Sequence, residues 1–254
     1  MESLFVNKNS IVRAIWGKAD TVLFIFAGAA AEFALNKAVD WLYYTGRLPK
    51  DPLGRLFSTV EYSHQIIFSE KEAALQAIDK ITAIHKGVEK KRGAEIPDWA
   101  YLDVLFLLID YSIRSFELLE RKLTETEKVE IFHVFNRVGK RMQLAGLPSS
   151  YQEYCATRKE HLRQNLISSE FTIDLYRQYK HHLGTTRYII LKQVQLILVP
   201  HYVKKLLPVG NMAWIKPFLQ LYKMLRLFKI EGFFKNALLP DTYKEQIRGL
   251  EAKR

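Results

Sequence analysis

The chain has 254 residues, of which 48% are hydrophobic and 13% aromatic, and its formal net charge is +11. This length suits one large domain with a substantial core, and the apolar content excludes a disordered protein. The single cysteine, Cys155, excludes an intramolecular disulfide and predicts a reducing compartment. We therefore expect a cytoplasmic protein, either free or peripheral to a membrane.

The N-terminal region predicts a short helix within residues 1–20 and then one buried central helix over Thr21–Gly46. Its apolar run TVLFIFAGAAA is bracketed by Asp20 and Glu32 and is too short to cross a bilayer. Gly28 lies among alanines, so this helix carries little side-chain bulk there. The small residues predict either tight packing against another helix or a face for a flat ligand.

The next helix carries a polar pair. Asp51 followed by Pro52 predicts its start, because aspartate caps a helix N-terminus and proline suits the first turn. Arg55 and Thr59 lie four residues apart on this helix, so they share one face and can line one pocket. The alternative is an ion pair between Arg55 and a carboxylate such as Asp51, with Thr59 as a spacer.

The following helix carries a histidine on an apolar stripe. Ser69 and Glu72 form a capping-box pattern that predicts its start, and Gly93 after three basic residues predicts its end. His85 shares its stripe with Ala74, Ile78, Ile81 and Val88. A buried imidazole either bonds a carbonyl or carboxylate, or one of its nitrogens binds a metal. One histidine without further ligands nearby suits a haem iron better than zinc.

The remainder of the chain alternates capped helices with short breaks. Capping pairs are predicted at Thr124 with Glu127 and at Ser150 with Glu153, and no segment shows the alternation of a strand. We predict an all-α fold over residues 1–254, a single domain of roughly ten helices in globin-like or bundle-like packing.

Several classes of site have no sequence support. His64, five residues beyond Thr59, is predicted at a surface or edge position, with a place near the same pocket as the alternative. Other histidines lie beside Phe132 on an amphipathic helix and at a helix end; they are His133, His181 and His182. The chain contains no HExxH, no paired cysteines and no Glu-x-x-His repeat, so zinc and di-iron sites are not expected. It also lacks a glycine-rich phosphate loop and a nucleophile elbow.

Most of the positive charge lies in a basic, apolar and helical C-terminal portion, residues 187–254. This portion has 13 Lys and Arg against 4 Asp and Glu, interleaved with apolar clusters such as IILKQVQLILV. The pattern indicates a surface for an anionic membrane or an acidic partner, or simply a solvated face. Nucleic acid is not expected as a partner, because no recognition module is visible.

Three motifs in this order resemble one protein family. They are an arginine three residues after Asp-Pro (DPLGR), a threonine four residues further on, and an Ile-His pair followed by valine (IHKGV). With the flanking GAAAEFALNKAVDWLYYTG, RKLTETEK and LAGLPSSYQEYC, they resemble the haem-b oxygenases that include latex-clearing rubber oxygenase and the fungal MpaB-type oxygenase. The resemblance implies a haem pocket in which His85 is the axial ligand of the iron and Arg55 and Thr59 line the pocket.

The chain departs from the rubber oxygenases at one position. These enzymes can carry a lysine just before the threonine as a distal iron ligand, and Ser58 stands there in this sequence. The distal position is therefore expected to be open or water-filled, and rubber cleavage is not carried over. Family members also use a carboxylate as a base, for which Asp40 and Glu32 are the candidates here.

The sequence thus leads to one hypothesis and two alternatives. The hypothesis is an oxygenase that uses haem b and dioxygen on an apolar, isoprenoid- or lipid-like substrate. The first alternative is a haem-free helical interaction or membrane-peripheral protein, and the second is a haem protein that binds a gas without turning over a substrate. The sequence does not specify the substrate, the electron donor or the oligomeric state.

Overall fold

The computed structural model describes residues 4–46, 50–210 and 213–227. These residues form eleven helices and two isolated bridges, with no β-strand among them, so the predicted all-α single domain is confirmed. The helices are α1 Ile11–Trp16, α2 Ala19–Phe33, α3 Val39–Tyr44, α4 Pro52–Phe68, α5 Lys71–Arg92, α6 Asp98–Leu119, α7 Glu125–Arg141, α8 Tyr151–Gln164, α9 Glu170–Leu198, α10 His201–Leu206 and α11 Lys216–Leu227. Within the described ranges, every helix falls short of the length or apolarity that a membrane-spanning helix requires.

The predicted central helix is shorter than expected. It ends at Phe33, and the chain continues as the separate helix α3 from Val39. Asn36 causes the break, because its Oδ1 accepts from the amide of Ala38 at 2.8 Å while its Nδ2 donates to the buried Asp103 at 2.8 Å. A side chain that bonds its own backbone competes with helical hydrogen bonds, and the contact with Asp103 fixes this competing geometry.

The helix caps predicted at Asp51 and Thr124 are present in the structure, and the one predicted at Ser69 is not. Asp51 caps α4 through a bond from the Gly54 amide at 2.8 Å, and Thr124 forms a complete capping box at α7, so both predictions are confirmed. The capping box predicted at Ser69 is wrong. The cap of α5 is Glu70, whose side chain makes no capping hydrogen bond and whose backbone pairs with Leu4 in an isolated bridge.

Helices α2 and α6 form the centre of the core, where Gly28 permits their close approach. A Cβ built on Gly28 would overlap the ring of Tyr111 on α6 and lie 2.9 Å from Cδ2 of Leu198 on α9. The small residues of α2 therefore serve tight helix packing at this position. A bulkier residue would force the buried Tyr111 or the helix backbone to shift.

Replacing Gly28 with alanine is expected to lower the free energy of unfolding by about 1–3 kcal/mol, because the added methyl group overpacks the contact with Tyr111. The matched control is Gly87→Ala on α5, where nothing lies within 4 Å of the added Cβ. That control should stabilise the protein by roughly 0.5–1 kcal/mol, since alanine favours a helix over glycine. Urea denaturation of both variants measures the difference, and equal effects would contradict the overlap.

The C-terminal portion is helical as far as the structure describes it. α9 bends at Gly184, which has φ 71° and ψ 170°, directly after His181 and His182. α10 and α11 follow, and the part of the predicted C-terminal portion over residues 228–254 lies outside the described residues. Trp214 tethers the segment before α11 by donating its backbone amide to Oε1 of the buried Gln193 at 2.9 Å.

Candidate functional site

His85 lies on α5 with one ring nitrogen sealed inside the protein. The residue as a whole is half-buried, but its Nδ1 is inaccessible to solvent and has no hydrogen-bond partner. The imidazole edge meets the ring of Tyr101 on α6 at a centroid distance of 5.1 Å, which restricts its rotation. A buried polar atom without a partner costs free energy, so it is a position that an additional ligand would satisfy.

The surroundings of His85 keep its imidazole neutral. The pKa of His85 is lowered to about 4, chiefly by burial and further by the positive charge of Arg55, while the negative charge of Glu89 opposes both. The ring is therefore deprotonated at about pH 7, with a lone pair free on one nitrogen. This is the protonation state that binds a metal ion.

Arg55 and Thr59 come from α4, which packs along α5. Both are half-buried, and Arg55 lies near enough to act electrostatically on His85. Arg55 Nη1 donates to Oγ of Ser58 at 3.2 Å, while Thr59 Oγ1 donates to the carbonyl of Arg55 at 3.2 Å. The structure thus brings Arg55 next to His85 and holds Thr59 against the backbone of the same helix.

A cleft of about 450 Å³ opens beside His85, in the size range of small-molecule sites. Its walls come from α5, from the loop before α6 and from the C-terminal end of α7, and they include Lys86, Glu89, Asp98, Tyr101 and Met142. Arg55 and Thr59 do not belong to this lining. Glu89 joins two of the walls, because its Oε1 accepts from the amide of Ile96 and from the hydroxyl of Tyr101, each at 3.0 Å.

The two carboxylates considered as a base have different environments. Glu32 on α2 is buried, pairs with Arg158 on α8 at 2.5 Å and accepts from the hydroxyl of Tyr111 at 2.9 Å. Asp40 on α3 is partly exposed and pairs with Arg92 at the end of α5 at 2.7 Å. Glu32 is therefore held as a structural ion-pair partner, and Asp40 is the carboxylate tied to the helix that carries His85.

The guanidinium of Arg92 is also stacked on α3. It lies 4.0 Å from the ring centroid of Trp41 and 5.2 Å from that of Tyr44, and its Nη1 is buried without a partner. Stacking between arginine and aromatic rings stabilises a contact in addition to the ion pair with Asp40. The C-terminal end of the His85 helix is thereby fixed to α3.

Two histidines differ from what the sequence suggested. His64 was predicted at a surface or an edge, but it is buried and stacks on Phe68 at 4.2 Å, so this prediction is wrong. His64 lies four residues after Val60 and three before Ile67, both buried, so it follows the helical period from which the burial of His85 was predicted. His161, which the sequence did not single out, contacts Oδ1 of the buried Asp103 through Nδ1 at 2.7 Å. No local pattern indicates this pair, because its members are 58 residues apart.

Asp103 is the centre of a buried polar cluster. Besides His161, it accepts hydrogen bonds from Asn36 at 2.8 Å and from Asn165 at 3.0 Å. The cluster joins α6, the end of α8 and the break between α2 and α3. Across the three described ranges of the chain, no three His, Cys, Asp or Glu side chains lie together as a metal-binding group.

Fold and site together define an all-α protein whose strongest candidate for cofactor chemistry is a single neutral histidine next to an arginine. The sequence model of the family described as "ER-bound oxygenase mpaB/B'/Rubber oxygenase, catalytic domain" matches residues 16–248. The chain belongs to this family of oxygenase domains, which confirms the resemblance inferred from its motifs. Among curated proteins, none matches the chain at a significant level.

Proposed function

We propose that this protein is a haem-b-dependent oxygenase that uses dioxygen to oxidise an apolar, isoprenoid- or lipid-like substrate. The observation that carries the proposal is His85, whose neutral imidazole has a buried nitrogen without a partner. This histidine stands in the motif IHKGV of a chain that belongs to an oxygenase family. The fit is chemical: haem iron takes a neutral imidazole as its axial ligand.

The chain's own groups have distinct roles around such a haem. His85 would hold the iron, and Arg55 and Thr59 would shape the pocket from α4. When bound, haem supplies the activation of dioxygen that no amino-acid side chain provides. Arg55 contributes twice, because its charge adds to the effect of burial in lowering the pKa of His85 and its guanidinium can donate to an anionic group such as a carboxylate.

The neighbourhood of His85 fixes the orientation of the imidazole. Tyr101 on α6 packs against the imidazole edge. Its hydroxyl donates to Glu89, which lies one turn beyond His85 on α5. This contact ties the position of the ring to the junction of α5 and α6. A ligand whose direction is set by packing loses less entropy on binding a metal than a freely rotating one.

Ser58 stands where the rubber oxygenases can carry a lysine that binds the iron. Its hydroxyl donates to the carbonyl of Arg55 at 2.8 Å and accepts from the guanidinium of the same residue at 3.2 Å. Serine at this place is short and already hydrogen-bonded, whereas lysine has the length and the amine to reach a metal. We therefore assign this chain to oxidation of an apolar substrate and not to rubber cleavage.

The proposed function is tested on the full chain produced with adequate haem supply. Oxygen uptake is measured with an electrode while unsaturated isoprenoids and lipids are offered in turn. We expect a coloured protein that consumes oxygen only when a substrate of this class is present. A coloured protein without uptake on any of them would indicate a gas-binding protein, and a colourless, folded protein that rejects added haemin would overturn haem dependence.

A further inference from the structure

Helix α11 is held on the body of the protein by one buried leucine and two hydrogen-bonding side chains. Leu219 is buried, the hydroxyl of Tyr222 donates to Asp20 at 3.1 Å, and Nζ of Lys223 donates to the carbonyl of Leu118 at 3.2 Å. These contacts hold α11 against the start of α2 and the end of α6. The helix is therefore anchored, and its opposite side faces away from the protein.

The outward side of α11 is apolar. Trp214, Phe218, Leu221 and Met224 recur at steps of four, three and three residues, so they form one stripe, and they are exposed by 44%, 59%, 51% and 58%. The rings of Trp214 and Phe218 contact each other at 5.9 Å. A typical surface helix turns its apolar side chains inward, whereas α11 leaves a continuous apolar stripe exposed. An apolar patch of this kind marks a site of interaction.

The segment that carries this stripe has charge of one sign. Residues 187–227 contain seven Lys and Arg and no Asp or Glu. Lys205 and Lys216 are exposed, and Lys192 is next to Gln193, the residue that binds the backbone of Trp214. A basic partner is excluded by this charge, and two copies of the stripe would bring like charges together. A partner that complements both the apolar stripe and the basic residues has negative charge at its surface and apolar groups below it.

We propose that the outward stripe of α11, with Trp214 at its start, docks on an anionic lipid surface. Phe218, Leu221 and Met224 enter the boundary between headgroups and acyl chains, where helices of this type lie in the membrane plane. The surrounding lysines meet the anionic headgroups, and tryptophan suits the interface because its ring is apolar with one polar group. This inference uses contacts remote from His85 and does not depend on the presence of haem.

The docking is tested by cosedimentation of the full chain with vesicles of neutral phosphatidylcholine containing about one third phosphatidylserine, at low salt. The parent protein is expected to sediment with these vesicles, to bind pure phosphatidylcholine several-fold less tightly, and to be released at high salt. The double variant Phe218→Glu/Leu221→Glu should bind roughly tenfold more weakly or worse, because it replaces inserted apolar groups by charges that headgroups repel.

The matched control is Ile167→Glu/Ile173→Glu, which places the same two charges at exposed apolar positions at and before the start of α9, where the two side chains are 50% and 46% exposed. It should bind vesicles like the parent, and circular dichroism should show unchanged helicity for all variants. Absence of parent binding to anionic vesicles, or equal losses in the control, would overturn the proposal. A parent that forms dimers dissociated by Phe218→Glu/Leu221→Glu, without binding vesicles, would instead show that the stripe joins two copies of the chain.

Discussion

Replacing His85 with alanine is expected to abolish the strong absorption band near ~400 nm that the haem-loaded parent shows, because the imidazole is the proposed axial ligand. The affinity for added haemin should fall by more than about tenfold, since even loss of a residue that only supports a metal ligand costs this much. Visible spectra and haemin titrations of the purified proteins measure both effects. They require neither a substrate nor an electron donor.

Two further variants give this experiment its specificity. His133→Ala removes an exposed histidine on α7 and should leave the spectrum unchanged. His85→Gly should regain the band when free imidazole is added, because the cavity left behind admits the missing ring. A His85→Ala protein with the parent's spectrum would show that another residue binds the iron. The buried His64 on α4 would then be the next histidine to replace.

Replacing Arg158 with methionine is expected to lower the free energy of unfolding by about 3–5 kcal/mol, because it leaves the Glu32 carboxylate buried without its countercharge. Burial alone would lower the pKa of Arg158, but the attraction of Glu32 outweighs it and the pKa lies well above its ordinary value. The same carboxylate accepts a hydrogen bond from the hydroxyl of Tyr111, so the groups around it stabilise a negative charge. Urea denaturation followed by circular dichroism measures the loss.

An exposed ion pair provides the comparison. Arg141 on α7 forms a two-pronged contact with Asp79 on α5, at 2.7 Å and 2.6 Å, but both side chains are about half exposed. Arg141→Ala should therefore lower the free energy of unfolding far less than Arg158→Met does, because water screens an exposed ion pair. The double variant Glu32→Gln/Arg158→Met should recover part of the loss, because a neutral amide needs no countercharge. If Arg158→Met costs no more than Arg141→Ala, the buried pair contributes little to stability.

Local chemistry made much of the fold predictable. The caps at Asp51 and Thr124 and the left-handed end at Gly93 depend on residues within four positions of one another, so the sequence displays them directly. The position of His85 on a partly buried stripe follows from helical period in the same way. Burial, the main cause of its neutral state, follows from this position, but the added effect of Arg55 could not be predicted because that residue approaches from another helix.

The features that escaped prediction involve distant partners. The break at Asn36 requires Asp103, 67 residues away, and Glu32 meets Arg158 across 126 residues. Before folding, nothing distinguishes Glu32 from a solvent-exposed glutamate at the end of an apolar run. The wrongly predicted capping box at Ser69 also involves a distant partner, since Glu70, the actual cap of α5, pairs its backbone with Leu4.

The partners of α2 have a consequence for the order in which the protein can form during synthesis. Glu32 and Asn36 leave the ribosome early, but Arg158 and Asn165, which complete their buried clusters, follow more than a hundred residues later. Contacts of such long range form late, because the entropy of closing a large loop must be overcome first. The apolar helix α2 therefore remains with its polar groups unmatched until α8 has been made. A nascent chain in this state exposes apolar surface and is a natural client for chaperones.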